Sequence, residues 1–195
     1  MQWRRQGVEI YLHLNMENTI AGNFISLPKL YFLALYQLIG GVLGIILTIF
    51  LILRLTEVSV SLFLLLAIAL SLYCYSVLCG ILLFKNPLLG IKYSRINQYL
   101  QIFGFFIFGY GFRYVAGFFI TIGLNLTNSI NFVADLGTSA WQINIDQESK
   151  ACIISFNFVA LFLILFLDRQ LKIIKQNIFS KEISQLGEGV QKAYS

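Results

Sequence analysis

Tyr99–Leu124 reads YLQIFGFFIFGYGFRYVAGFFITIGL, an apolar run interrupted by one charge, Arg113. A helix needs about 20 residues to cross the ~30 Å hydrocarbon core of a bilayer. Where there is no water, every backbone N–H and C=O must pair within its own segment, so a run this long and continuous reads as a transmembrane helix rather than a barrel strand. On that reading Arg113 sits midway along a span. Gly109 lies four residues before it and Ala116 and Gly117 three and four after, so the charge shares the face whose small residues permit close helix approach.

Three further apolar stretches flank this one, Lys29–Leu53, Val58–Phe84 and Ala151–Leu167. The expected fold is therefore an all-α membrane protein, an antiparallel bundle of four transmembrane helices followed by an amphipathic C-terminal tail helix. Its parts are a cytoplasmic segment 1–28, a transmembrane domain 29–167 and a tail 168–195. Spans fall at about 29–53, 58–84, 99–124 and 151–167, with an extracytoplasmic loop at 125–150. Arg54–Glu57 is short enough to force a helical hairpin, and Lys85–Asn97, with Asn86-Pro87 and Gly90, turns the chain before the third span. In the loop, Trp141, Ile143 and Ile145 alternate with polar residues as a half-buried strand does, while Ile130–Leu136 fits a helical turn or two. Val8–Leu14 alternates enough for a short strand, and Met16 offers an alternative start. In the tail, Leu171, Ile174 and Ile178 share one helical face, with Lys172 and Lys175 beside them, as in a helix lying on an anionic membrane surface.

The chain has 195 residues, 58% of them hydrophobic and only 12% charged, against about a quarter charged in soluble domains. The net charge of +5 borders apolar runs instead of forming a basic face, which argues against nucleic acid as a partner. Arg4, Arg5, Lys29, Lys85, Lys92, Arg95, Arg169, Lys172, Lys175, Lys181 and Lys192 fall in the first, third and fifth inter-span segments, whereas the second and fourth hold only Arg54 and Lys150. The positive-inside rule then places both termini in the cytoplasm of an inner or plasma membrane. Cys74, Cys79 and Cys152 make no metal-ligand spacing, and His13 is the sole histidine, so neither a metal site nor a cofactor is expected.

Small residues mark the expected packing faces: Gly41 and Gly44 on the first span, Gly80 on the second, Gly109 and Ala116 on the third. Bringing these faces together would bury Arg113 beside Gln37, Tyr73, Tyr110, Tyr114 and Asn157, whose oxygens can accept its N–H bonds. No Asp or Glu lies inside any span. Arg113 is then a structural residue, the clamp for an anionic ligand, or the partner of an acid on another subunit. No HExxH, GxSxG, phosphate-binding glycine loop or carboxylate pair is present, which excludes the common hydrolase and transferase plans. The leading expectation is a non-enzymatic accessory or scaffold subunit of a membrane assembly, with membrane lipids and another membrane protein or a second copy as partners. The alternative is a small transporter or channel-like protein binding an anionic or amphiphilic ligand near Arg113, and a lipid-directed membrane enzyme comes third.

Overall fold

The computed structural model describes residues 27–55, 60–107, 110–127, 129–145 and 151–193. Among them the elements run α1 (Leu27–Arg54), α2 (Val60–Lys85), α3 (Pro87–Ile102), β1 (Phe103–Ile107), β2 (Tyr110–Asn125), β3 (Asn131–Ile145), β4 (Cys152–Asn157) and α4 (Phe158–Ala193). This is a mixed helix-and-sheet fold and not a bundle of four transmembrane helices. Two helices, at Lys29–Arg54 and Leu62–Lys85, are long and apolar enough to cross a membrane by length and composition. Gly109 and the Val8–Leu14 segment lie outside the described residues.

The expected third span fails as a helix from Phe103 onward. Residues 101–123 contain no leucine, and aromatic, β-branched and glycine residues dominate them. Each interior glycine costs a helix about 1 kcal/mol relative to alanine. Aromatic and β-branched side chains fit a pleated surface better than a helical one. The fourth span is corrected likewise: Cys152–Asn157 is a strand, and from Phe158 to Leu167 the helix covers half the length a crossing needs. The expected loop is largely β3, so the strand read at Trp141–Ile145 is its second half and the helical turns read at Ile130–Leu136 are its first. The tail helix is present, continuous with the end of the supposed fourth span.

Strand order is β1-β4-β2-β3, all antiparallel, with β1 also paired to β2. β1 lies along the first residues of β2 (Ile107↔Tyr110, Phe105↔Phe112), and β4 lies along its last (Thr121↔Asn157, Asn125↔Ile153). β1 and β4 pair with each other as well. Two strands that are both antiparallel to β2 cannot be antiparallel to one another in a flat sheet, so the two halves of β2 must turn apart. The bend falls at a bulge where the β2–β3 register slips between Val115 and Phe118, with Gly117 at φ +105° and Ser139 at φ +35°. β1, β4 and β2 thereby close on one another, and β3 runs along the outer edge of β2.

The helices meet the sheet at that bulge. A β-carbon on Gly40 of α1 would fall 2.6 Å from Gly117 Cα and 2.7 Å from the Ala116 carbonyl carbon. Ser139 Oγ donates to Gly40 O (2.8 Å) and accepts from Gly117 N (3.1 Å), and Tyr36 OH donates to Phe118 O (2.7 Å). The α1–α2 seam runs past Gly41, Gly44 and Gly80. A β-carbon on Gly41 would press on Val77, one on Gly44 on the Tyr73 ring, and one on Gly80 on Ala34 O. Ala116 is buried at the bulge of β2 instead of on a helix face. α3 starts where Asn86 caps it, its side chain accepting from Leu89 N (3.2 Å), with Pro87 in the first turn. At the end of the molecule away from Arg54, Leu30, Leu33, Leu83, Ile91, Leu167 and Ile174 join all four helices in one core, and Arg95 pairs with Asp168 at 2.8 Å.

Candidate functional site

Tyr114 and Arg113 are consecutive on β2, and a strand sends consecutive side chains to opposite faces. That alternation separates two sites which the helical reading had merged into one.

Tyr114 faces the helices. Its hydroxyl donates to Leu72 O (2.8 Å) and lies 3.2 Å from Asn97 Oδ1, and its ring meets that of Tyr73 edge-on at 5.5 Å. Burial, with Tyr73 beside it, pushes the phenol pKa well above its ordinary value. Gln37 joins the same seam: Ser94 Oγ donates to its Oε1 (3.1 Å), while Ser76 Oγ donates to its main-chain oxygen (3.2 Å) and accepts from Asn97 Nδ2 (3.2 Å). The α3 contribution comes from Ser94, Asn97, Gln98 and Gln101, a buried polar stripe at the i, i+3, i+4, i+7 spacing. Gln101 Oε1 accepts from Ala116 N (2.9 Å), tying α3 to the bulge. Gln37, Tyr73 and Tyr114 are thus brought together, but around α3 and away from Arg113, which they were expected to surround, and α3 supplies most of the seam. The polar i, i+3, i+4, i+7 stripe of α3 was the sequence signal for it. Asn157 lies elsewhere: it ends β4 and caps α4, Oδ1 accepting from Val159 N (3.1 Å) and Ala160 N (3.4 Å). Tyr110 is exposed at the start of β2.

Arg113 points the other way, into a cup of about 510 Å³ walled by all four strands. One terminal nitrogen of its guanidinium lies 2.8 Å from Asp135 Oδ2, the other donates to Thr121 Oγ1 (3.3 Å), and the group stacks 4.4 Å above the Phe119 ring. The expectation that Arg113 lacks a counter-ion within the chain is therefore corrected, because the carboxylate comes from β3, in what read as a loop. The bulge makes that meeting possible. Arg113 pairs across the ladder with Gln142 and Thr121 with Asp135. On β3 those partners are seven apart, which an unbroken strand would put on opposite faces, and the slip at Ser139 puts both in the cup. Gly104 gives room for the arginine stem: a β-carbon there would fall 2.7 Å from Ser155 Oγ and 3.4 Å from Arg113 Cγ. Arg113 Nε is buried with no hydrogen-bond partner among the described residues. Phe105, Phe106, Phe112 and Ile153 supply apolar wall.

Chemically, the cup can hold a small molecule with an apolar body and a polar end. Among the described residues no cluster of metal-ligating side chains occurs. Comparison with known proteins found no matching family model, no matching curated protein and no matching solved structure.

Proposed function

We propose that this chain is a membrane-anchored, non-catalytic binding protein: the α1–α2 hairpin crosses the bilayer, and the cup around Arg113 takes the polar end of a small amphiphile. The cup itself carries the reading. Its volume of about 510 Å³ is within the usual range for ligand pockets, ~300–1,000 Å³, and its aromatic walls converge on a few polar groups.

The membrane part is supported by the surface. Phe32, Ile46, Phe50 and Leu53 on α1, Phe63 and Leu64 on α2, Phe118, Ile120 and Ile122 on β2, and Phe158, Phe162 and Leu165 on α4 are all exposed. Soluble monomers rarely leave contiguous apolar patches above a few hundred Å² uncovered. An apolar belt that wraps several elements fits a bilayer better than a single docking partner, which covers one face. Lys29 and Lys85 end the hairpin on one side, with Lys92, Arg95, Arg169, Lys172 and Lys175 on the helices packed there, while Arg54 ends α1 on the other. The positive-inside rule makes the lysine-rich side cytoplasmic. Closure of β1, β4 and β2 on each other suits strands that touch the apolar layer, since unpaired backbone is not tolerated against lipid.

The test is native mass spectrometry of the full chain extracted in mild detergent. Wild type should retain an amphiphile at one per chain, and Ser155→Leu, which narrows the cup, should lose it. Absence of any retained amphiphile, or equal retention by the variant, refutes the reading. An accessory-subunit role has its own support: among the described residues β3 pairs only with β2, and Phe132 and Leu136 on it are 82% and 73% exposed, an edge open to strand addition. Cross-linking from a cysteine placed at Thr138 would capture such a partner, and a monomeric product alone would dismiss it.

A further inference from the structure

The two charged residues of the cup, Arg113 and Asp135, have opposite sign, touch each other, and are the only ionisable side chains lining it among the described residues. From that balance we infer that the ligand of the cup is a zwitterion in which a phosphodiester is joined by a short link to a primary ammonium, the head group of an ethanolamine phospholipid. The inference rests on the amphiphile reading above and narrows it.

A purely anionic head would have to displace the Asp135 carboxylate from Arg113 or sit against it, and like charges in a partly desolvated site repel strongly. A purely cationic head meets the same obstacle from Arg113. A zwitterion avoids both, because each of its charges finds an opposite one and the loaded cup stays neutral. The geometry offers a place for each. On the arginine side, one terminal nitrogen is engaged by Asp135 and the other by Thr121, which leaves each a second N–H to donate. The planar guanidinium is the side chain best shaped to hold a phosphate. On the other side the Asp135 side chain is half exposed, and only its Oδ2 is engaged by Arg113, so the carboxylate can still accept an N–H. Gln142 and Ser155, also in the lining, carry further oxygens that accept hydrogen bonds. An ammonium bearing three N–H donors uses such acceptors. A quaternary choline head has no N–H to give, which separates the two common zwitterionic lipids.

The experiment places the full chain in nanodiscs holding equal amounts of ethanolamine, choline and glycerol phospholipids of the same acyl chains, and measures lipid retained after transfer to mild detergent. Ethanolamine lipid should exceed choline and glycerol lipid about tenfold, the factor expected for one charge-assisted hydrogen bond. Asp135→Asn should remove that preference and raise retention of the anionic glycerol lipid. Choline lipid retained as well as ethanolamine lipid, or anionic lipid preferred by wild type, overturns the zwitterion while leaving an amphiphile site. No lipid retained overturns both. The wild-type preference is read without any variant, so a failure of Asp135→Asn to fold leaves the test intact.

Discussion

Gly40→Ala adds one methyl group at the point where the hairpin meets the sheet, and its effect can be worked out atom by atom. The new β-carbon would fall 2.6 Å from Gly117 Cα and 2.7 Å from the Ala116 carbonyl carbon, against the 3.4–4 Å of an ordinary contact. These are backbone atoms, so no rotamer change relieves the clash. Nor is the bulge free to retreat, since Gly117 N is held by Ser139 Oγ and Ala116 N by Gln101 Oε1. Opening the seam by about 1 Å would stretch the bonds from Ser139 Oγ to Gly40 O and from Tyr36 OH to Phe118 O past useful length. Overpacking costs ~1–3 kcal/mol. Each lost hydrogen bond adds ~0.5–1.5 kcal/mol. Against this, alanine in place of glycine in a helix interior returns ~1 kcal/mol. The net expectation is a loss of roughly 2–4 kcal/mol, a fall of about 5–15 °C in Tm for a chain of this size. Thermal unfolding in detergent, followed by tryptophan fluorescence, reads this directly, because Trp141 packs on the Tyr73–Tyr114–Ala116 cluster beside the seam. Val42→Ala, at a 40% exposed position two residues away, is the control and should move Tm by only a few degrees. An unchanged or raised Tm for Gly40→Ala would refute the contact, since helix propensity alone predicts stabilisation.

Tyr114→Phe removes a hydroxyl bonded to Leu72 O and Asn97 Oδ1 and should cost about 1–3 kcal/mol in the same melt; no loss would mean that the helix–sheet seam is not closed as described. Gln98→Met should act in the opposite direction, because neither polar atom of this fully buried side chain has a partner among the described residues, and replacing it should raise Tm by a few degrees. A fall in Tm there would show that Gln98 is satisfied in the folded protein. Asp135→Asn should lower stability by less than about 1 kcal/mol, since the pair with Arg113 is partly open to solvent, so a larger drop in Tm would mark the ion pair as structural. Topology reporters placed within residues 56–59 and after Ser195 should fall on opposite sides of the membrane; the same side for both would rule out a crossing hairpin.

The two leucine-rich helices, the break at Asn86-Pro87 and the strand at Trp141–Ile145 were legible in the sequence because each depends on local terms: hydropathy over one helix length, a proline that stops a helix, an alternation over five residues; the rest of the connection read at Lys85–Asn97 is helix α3. The seam of Gln37, Tyr73 and Tyr114 was half legible for the same reason, since small and polar residues mark the packing faces of α1 and α2 wherever their partners come from. Hydropathy does not distinguish Phe103–Asn125 from a third span, because an apolar run is equally insoluble as helix or as strand, and only its glycine, aromatic and β-branched content leans toward strand. Strands there are completed by pairings made far away, as when Gly123 lies against Ser155 and Leu124 against Ile154, and such pairings leave no periodic trace when both faces of a strand are apolar. The same non-local step decided the candidate site. Arg113 stood out in the sequence as a charge without a counter-ion, and its partner, Asp135, is twenty-two residues away in a segment that read as a loop. Composition thus determined where two helices long and apolar enough to cross a membrane lie. The bulge at Ala116–Gly117, through the register it imposes on β3, decided that arginine and aspartate share one cup.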